Sequence, residues 1–301
     1  MTDIPEALRI KLDKRFYIYH LKCADRKRSG DGTEKFLWEL EDGLKVESVM
    51  IPEGKRRTVC VSTQVGCRYG CPFCVSGTIP FRRNLKCSEM TGQVLYTAEA
   101  YGDPVTNVVF MGMGEPLDNV TDLLRAIRIL NHEKGLGIGA RKITVSTCGI
   151  VPGMVELARA GMQLELSVSL HAVTDEKRDE LVPANRQYPI REVMGACREY
   201  RDRTGRNVTF EYTLLEGVND SPGEASRLRE LAAKVGAKVN LIPCNTRRIR
   251  ESGAAPGLKA DQFAGILRSG GVMATIRRSR GSDIMAACGQ LAAGEERRGR
   301  Q

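Results

Sequence analysis

The sequence predicts an α/β fold with a parallel sheet, arranged as a partial barrel of six strand–helix units. Three observations predict it. Apolar strand-like runs alternate with segments whose apolar residues recur at helical spacing, as parallel α/β folds require. Glycines follow several of the helical segments, where C-terminal caps belong. Chemically unusual residues come directly after five of the strands, where ligands bind in such folds.

The alternation begins after residue 55. The predicted strands are 58–62, 107–111, 142–146, 164–169, 207–214 and 237–242, and the predicted helices between them are 88–101, 119–134, 153–160, 189–204 and 221–235. A further helix at 259–269 and an edge strand at 272–277 follow. A doubly wound sheet would show the same alternation. A partial barrel is favoured because it brings five strand ends to one site.

The segments outside the barrel are short. Residues 1–55 predict a strand-rich extension with a turn at Glu41-Asp42-Gly43. Residues 56–291 form the predicted core, which ends in a cysteine-bearing segment, and residues 292–301 form a polar tail.

Composition bounds the function. Lys and Arg number 46 against 37 Asp and Glu, and the net charge of +9 fits a polyanionic partner such as RNA. With 42% hydrophobic and 28% charged residues, the chain reads as an ordinary globular protein. No apolar run approaches the ~20 residues that a membrane helix needs, and no signal peptide is visible. We therefore expect a cytoplasmic protein whose ten cysteines do not form structural disulfides.

Three of those cysteines are closely spaced on one loop. Cys67, Cys71 and Cys74 follow the first core strand as Cys-x3-Cys-x2-Cys. Three thiolates can hold three irons of a cubane cluster and leave the fourth iron open to a substrate. The alternative is zinc, but a structural zinc site takes four ligands, and no second pair of cysteines is visible in the sequence.

This spacing is that of the radical S-adenosylmethionine (SAM) superfamily. Six further segments resemble the RlmN/Cfr family within it, and they occur in the family's order: CVSTQVGC at 60–67, GMGEP at 112–116, SLHA at 169–172, NLIP at 240–243, DI at 283–284 and ACGQL at 287–291. The resemblance runs from about Glu47 to Leu291. It implies a barrel of the radical SAM type and an enzyme that methylates an adenine carbon, C2 or C8, in 23S ribosomal RNA and in some members transfer RNA.

The resemblance also implies the cofactors. Cys67, Cys71 and Cys74 would hold one [4Fe-4S] cluster, and two molecules of SAM would be used per turnover. Gly114 and Glu115 match the positions that hold the amino end of SAM. Its other contacts would come from Ser146, Ser169, Leu170, His171 and Asn245. Without the resemblance, Glu115 and Ser146 could be capping residues, and a lone histidine such as His171 is more often a buried core residue.

Three catalytic residues follow from the same resemblance. Cys288 would carry the methyl group as S-methylcysteine, Cys60 would release the product through a transient disulfide with Cys288, and Glu47 would accept a proton. Strand alternation places Cys60 on a polar face with Thr58, opposite the valines. Without the resemblance, Glu47 would be a solvated strand residue and Cys288 a small core residue. The remaining cysteines are expected to be structural: Cys23, Cys87, Cys148, Cys197 and Cys244.

The expected partners are RNA and an electron donor such as flavodoxin or ferredoxin, with no membrane and a monomeric chain. Basic clusters near the barrel rim could contact phosphates: 55–57, 82–83, 247–250 and 277–280. Family members usually carry a helical N-terminal accessory domain, for which this sequence has no room, so its RNA substrate is open. Two other functions remain: a radical SAM enzyme that acts on a different RNA or on protein, and a zinc-stabilised RNA-binding module.

Overall fold

The computed structural model describes residues 4–17, 19–244 and 258–292. The helices in this part of the chain are α1 (Glu6–Asp13), α2 (Cys87–Tyr101), α3 (Val120–Asn131), α4 (Val151–Arg159), α5 (Asp175–Leu181), α6 (Ile190–Thr204), α7 (Pro222–Val235) and α8 (Ala260–Ser269). The strands are β1 (Lys22–Arg28), β2 (Glu34–Glu39), β3 (Lys45–Glu53), β4 (Arg56–Cys60), β5 (Gln64–Val65), β6 (Arg83–Asn84), β7 (Asn107–Phe110), β8 (Ile143–Thr147), β9 (Glu165–Ser169), β10 (Thr209–Leu214), β11 (Lys238–Pro243) and β12 (Ala274–Ile276).

Ten of the strands form one sheet in the order β1-β2-β3-β4-β7-β8-β9-β10-β11-β12. Every pair from β4 to β12 is parallel, and helices connect these strands. The predicted α/β fold with six strand–helix units is therefore confirmed, and β12 extends the sheet at its edge. The sheet is open, with β1 at one end of the order and β12 at the other.

The N-terminal extension continues this sheet on the far side of β4. Strands β1 to β4 pair in antiparallel fashion, as hairpins do. The predicted turn lies between β2 and β3, where Gly43 takes a positive φ of 77° and Leu40 N donates a hydrogen bond to Leu44 O. Strand β2 buries one side of the hairpin through Phe36 and Trp38, whose rings stack with centroids 5.5 Å apart.

The helices pack one apolar face on the sheet. In α3 that face consists of Leu123, Leu124, Ile127 and Leu130, all buried, as the spacing predicts. Left-handed glycines end α2 at Gly102 and α7 at Gly236, as expected of C-caps. Sequence patterns missed α1 and α5, and α1 has no buried residue. No helix in the described ranges has the length and apolarity to cross a bilayer.

Candidate active site

Two cavities meet at the carboxyl ends of the parallel strands. The smaller has a volume of about 180 Å³ and is lined by the loops that follow β4, β7, β8 and β9. The larger has a volume of about 730 Å³ and is lined by side chains from β3 and β4 through to β12. Strands from both ends of the parallel part of the sheet line this one cavity, so the sheet must curve around it. Such curvature is what a partial barrel would show.

Cys67, Cys71 and Cys74 all line the smaller cavity. Their loop is held by backbone hydrogen bonds, among them Cys74 N to Cys71 O at 3.0 Å and Cys67 N to Ile79 O at 3.2 Å. Gly66 precedes the loop with a φ of 74°, and a Cβ there would lie 2.1 Å from the Pro80 oxygen. Only glycine fits this turn, so the turn that presents the thiols depends on it.

The three thiols suit an iron–sulfur cluster in position and chemistry. Burial raises the pKa of Cys67 to about 12, and it raises the pKa of Cys71, to which Cys74 and Cys67 add by like-charge repulsion. Three thiolates that repel one another on one wall are stabilised by bound iron, which is how metals deprotonate thiols. Among the described residues, no three His, Cys, Asp or Glu side chains converge closely enough to be ligands of a single metal ion.

Gly114 and Glu115 form the wall of the smaller cavity after β7. Gly114 has a φ of 89°, and a Cβ there would lie 2.3 Å from Gln64 Cβ. The buried Glu115 carboxylate accepts hydrogen bonds from Leu117 N (3.0 Å) and Cys148 N (2.8 Å), so it caps the 3₁₀ turn that follows it. Burial raises the pKa of Glu115 to about 7, and a ligand ammonium would favour its ionised form.

Ser146 and Ser169, at the ends of β8 and β9, also line the smaller cavity. His171 lines it too, with a φ of 56° that is uncommon for a residue with a side chain. Its Nδ1 accepts a hydrogen bond from Thr213 N at 3.0 Å, and its ring meets Phe73 edge-on at 4.8 Å. Burial lowers the pKa of His171 to about 3, so the imidazole is neutral and carries its hydrogen on Nε2.

Two residues expected to contact SAM are placed differently or not described. The side chain of Leu170 is buried and is not part of the cavity wall. Its backbone makes the polar contacts: Leu170 N donates a hydrogen bond to Glu211 O, and the Leu170 carbonyl accepts one from Arg178. Asn245 lies outside the described residues.

Sequence reasoning missed Arg178, which is fully buried on α5. Its guanidinium donates to the carbonyls of Cys148 (2.6 Å), Leu170 (3.1 Å) and Ser169 (3.3 Å) and to Asn185 Oδ1 (2.9 Å). It thus ties together the chain ends of β8 and β9, which form the site. Arg178 lies in the short, mostly charged segment DEKRDEL, and such a segment is typical of an exposed helix. The sequence alone therefore gives no indication that this arginine is buried.

Cys288 lies on the wall that the two cavities share. Arg277, which also borders both cavities, donates a hydrogen bond to the Cys288 sulfur, and its coulombic attraction to Cys288 is the main cause that raises the pKa of Arg277. Cys60 lines the larger cavity, as strand alternation predicts, and burial raises its pKa to about 12. The structure therefore brings Cys60, Cys288 and one guanidinium together.

Glu47 lies at the side of this group. It is buried on β3 and borders neither cavity. Its Oε1 is 3.1 Å from Lys35 Nζ, and its Oε2 accepts a hydrogen bond of 2.8 Å from Ala292 N. To reach a base in the larger cavity, the carboxylate would have to exchange the Ala292 amide for substrate.

The other cysteines divide into two groups. Cys148 and Cys244, which flank residues expected to bind SAM, border the smaller cavity. Cys197 is buried on α6, whereas Cys23 is exposed on β1. No disulfide joins any of the ten cysteines, all of which lie within the described residues.

Comparison with known proteins gives a consistent family. A model of the radical SAM superfamily matches residues 61–228. The dual-specificity RNA methyltransferase RlmN of Anaeromyxobacter dehalogenans is 47% identical over 97% of this chain and 81% of its own length. The probable RlmN of Bacillus subtilis is 45% identical over 98% of this chain and 82% of its own length.

A solved structure agrees with these relatives. The crystal structure of a radical SAM methyltransferase from Sphaerobacter thermophilus superimposes with a TM-score of 0.89 at 45% identity, covering 97% of this chain and 87% of that one. Membership implies SAM and a [4Fe-4S] cluster as cofactors, for which the three loop thiols and the wall around Glu115 are suited. The chain therefore belongs to the radical SAM superfamily and, within it, to the RlmN family.

Proposed function

We propose that the chain is an RNA methyltransferase that methylates an adenine carbon, C2 or C8, in 23S ribosomal RNA, with transfer RNA as a second substrate. The observation that carries this proposal is the position of Cys288. It lies between a cavity lined by the three loop cysteines and a cavity of nucleotide size that contains Cys60. The names of the relatives, RNA methyltransferases, give the substrate class.

The reaction needs a radical route because adenine C2 and C8 are electron-poor carbons. A methyl sulfonium transfers its methyl group to nucleophiles, and these carbons are not nucleophiles. The chemistry that the cluster and SAM supply when bound is one-electron cleavage of a sulfonium, which yields a carbon radical able to remove a hydrogen atom. Cys67, Cys71 and Cys74 would hold the cluster, and Gly114, Glu115, Ser146, Ser169, His171 and Asn245 would hold SAM.

Cys288 would act first as a nucleophile. Its sulfur takes the methyl group of one SAM molecule, which leaves as S-adenosylhomocysteine, so a second SAM is needed for the radical. Arg277 borders both cavities beside Cys288, where its guanidinium would orient the sulfur towards the methyl donor. After loss of one hydrogen atom, the carbon on Cys288 bonds to the adenine carbon in the larger cavity.

Product release would fall to Cys60. Once the adduct has passed the proton of the adenine carbon to a base and one electron to an oxidised carrier of the flavodoxin or ferredoxin type, Cys60 would give up its thiol proton and attack the Cys288 sulfur. The carbon–sulfur bond breaks, its electron pair stays on the new methyl carbon, and that carbon takes up a proton. The Cys60–Cys288 disulfide must then be reduced by an external donor. Glu47 is the proposed proton acceptor, after release of its Ala292 contact.

RNA would approach the larger cavity through basic side chains at its edge. Arg56, Lys238, Arg278 and Arg280 all line it. Contacts to phosphate position a nucleic acid without reading its sequence, and a target base inside folded RNA has to be splayed into a pocket. A flavodoxin or ferredoxin would supply electrons to the monomeric enzyme in the cytoplasm.

The test is mass analysis of nucleosides after anaerobic incubation of bacterial RNA with the reconstituted protein, SAM and reductant. We expect methyladenosine at C2 or C8 with the wild type and with Cys23→Ala, the exposed-cysteine control. Cys288→Ala should give none, and Cys60→Ala should leave the protein attached to RNA. Persistent methylation by Cys288→Ala would refute the methyl carrier. Formation of 5′-deoxyadenosine without methylated adenosine would refute the substrate and favour a radical enzyme acting on another RNA or on protein.

A further inference from the structure

The segment that carries Cys288 is attached to two other parts of the chain. On one side it contacts the cysteine loop, through Val75 N to Gly289 O at 2.7 Å and Ser76 Oγ to Leu291 O at 2.8 Å. On the other side it contacts the N-terminal strands, which contribute no thiol to the site. These contacts fix where the Cys288 sulfur lies between the two cavities.

The N-terminal contacts form two groups. In the first, Ser29 Oγ donates to Asp283 Oδ1 at 2.6 Å, and Gly281 N donates to Asp31 Oδ2 at 3.0 Å. One hydrogen bond thus ends on an aspartate of the Cys288 segment and the other on an aspartate of the N-terminal strands' loop. In the second, Lys35 Nζ lies 3.2 Å from the Met285 carbonyl and 3.1 Å from Glu47 Oε1. Glu47 in turn accepts from Ala292 N.

Lys35 is the side chain that joins both ends of the segment. It reaches Met285, three residues before Cys288, directly, and Ala292, four residues after Cys288, through Glu47. Met285 has a φ of 56°, a conformation that is unfavourable for a residue with a side chain and persists only where its surroundings hold it. The Lys35 and Glu47 side chains are 10% and 3% exposed, so water competes little for these contacts.

We propose that Lys35 is a positioning residue that fixes the Cys288 segment, through Met285 and the Glu47–Ala292 contact, in the place where the thiol can receive a methyl group. The lysine touches neither cavity and takes no chemical part. This role rests on the function proposed above for Cys288. Without Lys35, the strained turn loses its donor and Glu47 loses its counter-charge, so the segment samples other positions.

The first measurement is hydrogen exchange by mass spectrometry on folded protein. In Lys35→Met we expect amides of 281–292 to exchange roughly tenfold faster, while those of β8 to β10 keep their wild-type rates. Lys45→Met, which removes an exposed lysine of the neighbouring strand, is the matched control and should behave as wild type. Lys35→Arg should restore much of the protection, because it keeps a buried cation at this place.

The second measurement is methyl loading of Cys288, followed by the mass of its peptide after anaerobic incubation of the reconstituted protein with SAM. Lys35→Met should load roughly tenfold more slowly than wild type and Lys45→Met, because small misplacements of a reacting group are costly. Wild-type rates of exchange and of loading in Lys35→Met would overturn the proposal. If wild-type protein itself carries no methyl group on Cys288, the proposed function fails, and the exchange data still decide whether Lys35 holds the segment. Should Lys35→Met not fold, Lys35→Gln is judged by the same criteria.

Discussion

Replacing His171 tests the electrostatics of the site without any cofactor. The imidazole is buried, and burial lowers its pKa from 6.5 to about 3. Below pH 6.5 the unfolded chain therefore binds a proton that the folded chain refuses. Stability from this histidine is complete above pH 6.5 and is lost as the pH falls towards 3. Each pH unit below 6.5 is worth about 1.4 kcal/mol, so the loss between neutral pH and about pH 4.5 is on the order of 3 kcal/mol.

The variant of choice is His171→Asn. Asparagine tolerates the positive φ of this position and can offer an oxygen to Thr213 N, but it does not titrate. Urea unfolding of the apoprotein at a series of pH values gives the free energy of unfolding for both proteins. We expect the wild type to lose on the order of 3 kcal/mol more than His171→Asn between neutral pH and about pH 4.5. His132→Asn, at an exposed histidine, should follow the wild type. Parallel curves for wild type and His171→Asn would refute the reasoning.

Three further predictions follow from the same contacts. Gly114→Ala should lower the free energy of unfolding by about 2 kcal/mol or more, because the new Cβ would clash with Gln64 and the φ of this residue is positive. Gly139→Ala is the control and should change stability little, because nothing lies close to its Cβ position. Chemical denaturation of both variants measures the difference. Arg178→Met should cost about 3 kcal/mol in the same assay, because buried carbonyls lose a charged donor, and an unchanged midpoint would contradict this. Arg278→Ala should reduce the slope of log affinity for RNA against log salt concentration by about 1, and an unchanged slope would exclude a phosphate contact.

The order of elements could be read from the sequence because it depends on local periodicity. The predicted helix 189–204 and strand 164–169 differ from α6 and β9 by one residue at the start, since apolar spacing and a terminal glycine mark them. Helix α5 was missed for the opposite reason. Its seven residues are mostly charged, and its buried Arg178 binds backbone carbonyls at or just after the ends of β8 and β9. No local pattern reports such contacts.

The candidate site shows the same division. The family resemblance predicted that Cys67, Cys71, Cys74 and Glu115 lie in one site, and in the structure all four line the smaller cavity. It did not foresee Arg277 beside Cys288, because a basic doublet near a chain end looks like solvated surface. The contact between Lys35 and Met285 could not be predicted either, since it joins residues 250 positions apart.

That separation has a consequence for how the protein forms. The contacts between the N-terminal strands and the Cys288 segment span 245 to 254 residues, so they close a loop that is nearly the whole chain. Contacts between distant residues pay the entropy of loop closure before they return any energy, so they form after local ones. The strands and helices that carry the cysteine loop can assemble while the Cys288 segment is still unattached. A molecule clipped before residue 281 would keep the cysteine loop and lack Cys288, so the methyl transfer proposed for that thiol would have to wait until the fold is complete.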